Sequence, residues 1–219
     1  MISPGKDNQV PDNIAIAILA GGQSRRMAGV NKALVAVAGR PMLSYVLNSA
    51  KKQSDLILLN TNQPVPTVFS SVAKVVADGH GQGPLAGISA SLAWLQKNRR
   101  DVDWLVSFSC DCPFIPTDTA LRLVQQSMTE NASCCYAVDS TGKHYVIAAW
   151  SIRLLTAMQR ALHQGDYSVH AFLSSVDCCE AYFATPNSHV LPSYFYNVNT
   201  PAELKELERM LNNNGDQYE

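Results

Sequence analysis

Ile14-Ala15-Ile16-Ala17-Ile18-Leu19-Ala20-Gly21-Gly22-Gln23-Ser24-Arg25-Arg26-Met27-Ala28-Gly29-Val30-Asn31-Lys32 carries an apolar run of strand length straight into a glycine-rich turn followed by three cations. Gly21 and Gly22 lack a Cβ, so the turn can offer consecutive backbone N–H groups to anionic oxygens. Arg25, Arg26 and Lys32 add charge that N–H dipoles alone do not supply. The combination suits a polyphosphate. Two familiar phosphate loops do not match it. A P-loop needs Gly-Lys-Ser/Thr, whereas Lys32 follows Asn31 and precedes Ala33. The dinucleotide fingerprint needs Gly-x-Gly-x-x-Gly, and Gly21-Gly22-Gln23 breaks that spacing.

Working outward, strand-length apolar runs at Ile14–Leu19, Leu56–Asn60, Lys74–Ala77 and Val102–Phe108 alternate with helix-period stretches at Met42–Gln53, Leu85–Lys97 and Thr119–Met128. Such alternation predicts a three-layer, Rossmann-like α/β fold with a mostly parallel central sheet and helices on both faces. Pro41, Pro84 and Pro201 stand where first-turn prolines belong, the last after a Thr200 cap. In such sheets ligands bind outside the carboxyl ends of the strands. The glycine turn follows the first strand, Asn60 and Asn62 the second, Asp78 the third and Asp111 the fourth, so one crevice can gather them. No internal repeat or linker interrupts the chain. It is expected to form a single domain over 1–219, with flexible ends at 1–13 and 212–219.

Composition narrows the function classes. The 219 residues are 47% hydrophobic, enough for a substantial core, and the net charge of −1 exerts no polyelectrolyte pull. Lys51-Lys52 and Arg99-Arg100 are short pairs of the kind that solvate helix ends, so nucleic acid is not an expected partner. The polar segment Met1 to Asn13 has no apolar core of signal-peptide length, and no later run reaches the ~20 apolar residues of a membrane span. A cytoplasmic protein without membrane attachment is the expectation. Cys110, Cys112, Cys134, Cys135, Cys178 and Cys179 match no zinc spacing and read as reduced thiols. His144, His163, His170 and His189 are scattered and read as structural or surface groups, unless one lines an acceptor crevice.

The opening segment resembles L-A-G-G-x-S-x-R-M-G-x-D-K, the signature of the molybdenum cofactor guanylyltransferases, within the wider α/β nucleotidyltransferases. The resemblance continues through Asn60-Thr61-Asn62-Gln63 (N-x-N), Asp78 with Gly83-Pro84-Leu85-Ala86-Gly87, Cys110-Asp111-Cys112-Pro113-Phe114-Ile115-Pro116 (C-D-x-P-F-x-P) and Asn197-Val198-Asn199-Thr200-Pro201 (N-x-N-T-P). It implies transfer of GMP from GTP to the terminal phosphate of molybdopterin or the molybdenum cofactor, with release of pyrophosphate. It further implies contact with cofactor-delivery proteins or client molybdoenzymes. By resemblance, Leu19, Ala20, Gly21, Gly22, Lys32, Asn62, Asp78 and Asp111 meet the nucleotide, Arg26 meets a phosphate, and Asn197 and Asn199 face the acceptor. Lys32, Asp111 and Arg26 are the expected catalytic set. Asp111 is the expected ligand for Mg2+, because a nucleoside triphosphate is usually neutralised by a hard cation on one or two carboxylates. The bland alternatives are an exposed Lys32, a helix cap at Asp111 near Pro113 or Thr117, and turns at Asn60–Pro64 and Asp78–Gly81.

Departures from the signature fall in the glycine loop and in the acceptor half. Asn31 replaces its Asp, Ala28 its Gly, Lys143-His144-Tyr145 stands for an H-P element, and Tyr167 takes the place of an arginine. Two other readings stay open at this level. One is cytidylyl or other nucleotidyl transfer to molybdopterin or to a sugar or polyol phosphate. The other is a non-catalytic nucleotide-binding relative serving as partner or regulator.

Overall fold

The computed structural model describes residues 13–21, 32–70, 73–77, 82–184 and 193–213. Its centre is a seven-stranded sheet in the order β5-β4-β1-β6-β8-β7-β9. These strands are β1 (Ile14–Leu19), β4 (Ile57–Asn60), β5 (Lys74–Val76), β6 (Trp104–Ser109), β7 (Cys134–Asp139), β8 (Gly142–Ser151) and β9 (Cys178–Tyr182). β1 pairs in parallel with both β4 and β6, β4 with β5, and β7 with β9. β8 alone runs antiparallel to its two neighbours, β6 and β7. The mostly parallel sheet expected from the alternation is therefore present.

Alternate residues of β1 feed opposite cores, as the two-residue period of a strand requires. Ile14, Ile16 and Ile18 join Leu43, Val46 and Leu47 of α1 (Met42–Lys51) and Leu123 and Val124 of α4 (Thr119–Thr129). Ala15 and Ala17 face Leu85, Ile88 and Leu92 of α3 (Gly83–Asn98), with α5 (Leu155–His163) and α6 (Val169–Leu173) on the same side. The alanines let α3 approach closely while the isoleucines fill the wider gap opposite. α2 (Thr67–Ser70) adds Phe69 to the first core.

A third, smaller core lies beyond the sheet's edge. The hairpin β2 (Ala36–Val37) and β3 (Arg40–Pro41) turns through Ala38 and Gly39 at φ of 48° and 77°, the left-handed pair that a two-residue hairpin needs. Val37 and Met42 pack with Phe114, Val198 and Leu207, the last on α7 (Pro201–Asn213). This packing ties the loop after β6 to the segment leading into α7.

Two expectations need adjustment. Pro41 is not a first-turn residue: it pairs in β3 and sits at the N-cap of α1 with an extended ψ of 138°. Asn60 does not follow β4 but ends it, buried, with its amide donating to the Val76 carbonyl at 3.2 Å. Pro84 and Pro201 do occupy the first turns of α3 and α7. Gly83 precedes Pro84 at φ 78°, a left-handed conformation that favours glycine.

Candidate active site

The chain steps outward from β1 to β4 and β5, then returns to place β6 on β1's other side. Their carboxyl ends thus form the topological switch point where α/β sheets bind ligands. The two ends are stitched together: the Cys110 N–H donates to the Leu19 carbonyl at 3.2 Å and the Ala20 N–H to the Asn60 carbonyl at 2.9 Å. Leu19 buries its side chain in the core, so only its backbone borders the site, while Gly21 is exposed. Asn62 lies exposed just past β4. Gly22, Arg25, Arg26, Ala28, Asn31, Asp78 and His189 lie outside the described residues.

Three distant segments meet at this point. Lys32 opens a short 3-10 turn, and its Nζ donates to Asp111 Oδ2 at 2.7 Å and to Asn199 Oδ1 at 2.6 Å. Ser109 Oγ donates to the other oxygen of Asp111. Lys32 and Asp111 are 15% and 18% exposed, so the pair is shielded from bulk solvent but open to a ligand. Asp111 is not a helix cap, because α4 begins only at Thr119.

The loop that holds Asp111 is pinned at both ends. Ser49 Oγ donates to the Ile115 carbonyl, and the buried Gln53 amide bridges the Pro116 carbonyl and the Ala120 N–H. On the other side the Val198 N–H donates to the Asp111 carbonyl at 3.1 Å. Asn199 is held in turn by a capping box at the start of α7. Thr200 Oγ1 accepts from the Glu203 N–H, and Glu203 Oε2 accepts from the N–H groups of Asn199 and Thr200 at 2.6 and 2.8 Å. The backbone N–H of Asn199 is the leading reason the Glu203 carboxyl lies below its ordinary range.

A cleft of about 350 Å³ opens beside Asp111, and its origin is a break in strand pairing. β8 stays on β6 only as far as Ala148 opposite Ser107. On its other side the register jumps: Tyr136 opposes Ala148, but Ala137 opposes His144. Tyr145, Val146 and Ile147 are thereby bulged into the cleft wall, facing Ser109, Asp111, Cys112 and Asn197. His144 lines the same cleft and so meets the exception that the sequence left open for these histidines.

The chemistry on offer is charge and hydrogen bonding. Burial pushes the Cys110 thiol up to about 12 and the Cys112 thiol well above its ordinary value. Neutral thiols are poor nucleophiles at neutral pH, and Cys112 instead donates to Asn197 Oδ1. The six cysteines are free thiols. Asn199 thus lies against Lys32, and Asn197 lines the cleft with Asp111.

The chain that builds this site matches a family model over most of its length. Residues 16–179 fit the model of the MobA-like NTP transferase domain. The chain belongs to that family. It is a nucleotidyltransferase of α/β fold. It is 35% identical over 198 residues to the molybdenum cofactor guanylyltransferase of Rhodopseudomonas palustris strain BisB5, covering 88% of this chain and 91% of that one. The enzyme of the same name from Nitrobacter hamburgensis is 35% identical over 200 residues, covering 88% and 92%. Among solved structures, molybdopterin-guanine dinucleotide biosynthesis protein A from Archaeoglobus fulgidus superposes with a TM-score of 0.71 at 21% identity, covering 91% of this chain and 99% of that one. At that identity the likeness concerns the fold.

Proposed function

We propose that this nucleotidyltransferase moves GMP from GTP onto the terminal phosphate of molybdopterin, or of its molybdenum-loaded form, and releases pyrophosphate. The observation that carries the reading is the meeting of Lys32, Asp111 and Asn199 at the sheet's switch point, beside a cleft roomy enough for a second substrate. The curated relatives named molybdenum cofactor guanylyltransferase support the choice of base and acceptor.

The acceptor phosphate is already an anion, so its oxygen attacks the α-phosphorus in line without a protein nucleophile. The enzyme's task is to align two polyanions and to stabilise the charge that gathers on the departing pyrophosphate. Lys32 is assigned to that charge. The glycine turn after β1, with Gly21 and Gly22, is assigned to the nucleotide phosphates, together with Arg26. Asn62 and Asp78 are assigned to base or ribose contacts, and Asn197 and Asn199 to the acceptor side.

The oxygen donors here fit magnesium. Asp111 contributes one carboxylate, the usual protein share when substrate phosphates complete the shell, and a carboxylate that attracts an ammonium also attracts a divalent cation. Asp111 would hold the ion, which when bound neutralises phosphate charge. GTP, molybdopterin and Mg2+ are therefore the proposed ligands. Among the described residues no helix is long and apolar enough to cross a membrane.

The test is incubation of purified protein with magnesium, molybdopterin and each labelled nucleoside triphosphate, followed by chromatography of the products. The reading expects a guanine dinucleotide and labelled pyrophosphate, with GTP turned over faster than CTP or ATP. A site that hydrogen-bonds one base edge penalises another by leaving buried groups unpaired. Equal or faster turnover of CTP overturns the assignment of the base.

A further inference from the structure

His144 and Asp139 form a built pair that the reaction above does not use. Asp139 ends β7 and is buried, yet its carboxyl is surrounded by donors. Oδ1 accepts from the Thr141 N–H at 2.8 Å, the Thr141 hydroxyl at 2.6 Å and the Gly142 N–H at 3.2 Å, and Ser193 Oγ donates to Oδ2. His144 Nε2 lies 2.9 Å from Oδ1, and the imidazole packs on the Phe195 ring at 4.9 Å. The ring is thus gripped on one nitrogen and one face while it borders the cleft shared with Asp111 and Asn197.

Burial alone would raise the Asp139 carboxyl, but the hydrogen bonds from Ser193, Thr141 and His144 outweigh it and hold the group at about 2. An ionised carboxylate only accepts, so Nε2 carries a proton, and in the neutral form of the ring Nδ1 then presents a lone pair. A lone pair repels phosphate oxygens and attracts an N–H. The cleft lies on the β8 side of Asp111, whereas Gly21 and Asn62 lie past the ends of β1 and β4, so we assign the cleft to the acceptor and not to the nucleotide.

We propose that His144 is a recognition residue for the acceptor: its Nδ1 accepts a hydrogen bond from an N–H donor on the acceptor's flat heterocycle, and Asp139 is the positioning residue that sets this tautomer. The inference rests on the proposed molybdopterin acceptor, whose fused ring presents N–H and amino donors. It adds the direction of the hydrogen bond and the residue that makes it.

The two nitrogens can be tested separately. Asn places a side-chain oxygen near the position of Nδ1, and Gln places its amide near Nε2. If His144 contacts the acceptor, His144→Gln raises the KM for molybdopterin about fivefold or more, the worth of one hydrogen bond. His144→Asn then raises it less, and both variants keep kcat and the KM for GTP within about twofold of wild type. If His144 merely braces Asp139, the order reverses, and that result overturns the proposal. A measurement on unmutated protein guards against misfolded variants: 15N NMR of the wild-type imidazole is expected to show a proton on Nε2 alone, and a proton on Nδ1, in a neutral or a charged ring, overturns the proposal.

Titration of molybdopterin without nucleotide, followed by fluorescence, separates this inference from the reaction it rests on. Tighter binding to His144→Asn than to His144→Gln, without any guanine dinucleotide from wild type, removes the proposed reaction and keeps the role of His144. Normal guanylyl transfer with the reversed order keeps the reaction and removes that role.

Discussion

Asp111 and Lys32 are two charges whose value lies in being a pair that a ligand can reopen. Each is mostly shielded, so the attraction between them is stronger than at an open surface, and each is poised to trade its partner for a substrate charge. Asp111→Asn keeps volume and one acceptor oxygen but removes the charge. It is expected to cut transfer by ~10²-fold or more, about 2.7 kcal/mol of barrier, with the fold intact and nucleotide binding only partly weakened. Steady-state kinetics beside circular dichroism check this. Turnover within roughly threefold of wild type, about 0.7 kcal/mol, would mean that the metal site lies elsewhere. Lys32→Ala is expected to slow transfer less, because in the proposed reaction a cation and backbone N–H groups would still neutralise the phosphates, and a larger loss than for Asp111→Asn would reverse that ranking. Both residues were legible in the sequence because each sits in a spaced motif behind a strand. His144 was not. The Lys143-His144-Tyr145 element gave it no place in space, and the register shift in β8 sets His144 beside the cleft.

At the scale of elements, the half of the sheet built from βα alternation could be read from periodicity, and β7, β8 and β9 could not. The inner stretch of β8, Ile147 to Trp150, is buried without alternation because both of its faces are covered, and the bulge at Tyr145–Ile147 breaks any period of two. The hairpin turn at Asp139-Ser140-Thr141-Gly142 went unread, because no alternating flanks accompanied it. By contrast, the capping box of α7 was half visible as Thr200-Pro201, and its full role emerges from the Glu203 contacts. Glu203 holds the N–H of Asn199, whose side chain receives Lys32, so the box orients the site as well as starting the helix. Glu203→Ala is therefore expected to lower turnover several-fold. Thr200→Ala, which removes the hydroxyl cap but not the carboxylate, is expected to cost about 1 kcal/mol of stability with a smaller effect on rate. Urea melts and initial rates on the two variants test this division. Equal rates for Glu203→Ala and wild type would show that Asn199 is held in place without the box.

Across the whole molecule, Asp139 links parts that are far apart in the chain. It closes the β7–β8 hairpin through Thr141 and Gly142, grips His144 on the cleft wall and anchors Ser193, whose hydroxyl also accepts from the Phe195 N–H. Phe195 in turn packs edge-on against Phe183 in the core on the α1–α4 side of the sheet. Losing the carboxylate charge should loosen the hairpin, the cleft wall and the approach to α7 together. The pH dependence follows from the sign of the shift. The folded carboxyl sits at about 2, below its ordinary 3.8, so its contribution is fully present above the unfolded value and disappears as pH falls through the folded one. Wild-type stability is expected to drop from about pH 4 toward pH 2 by more than surface carboxylates account for. Asp139→Asn is expected to be less stable than wild type at pH 7, with the gap narrowing across that window because protonated Asp and Asn are both neutral there. Denaturant midpoints for the two proteins at a series of pH values between 7 and 2 decide the matter. A gap that stays constant from pH 4 to pH 2 would mean that Asp139 contributes through its shape and hydrogen-bonding oxygens, and that its charge adds nothing to the fold.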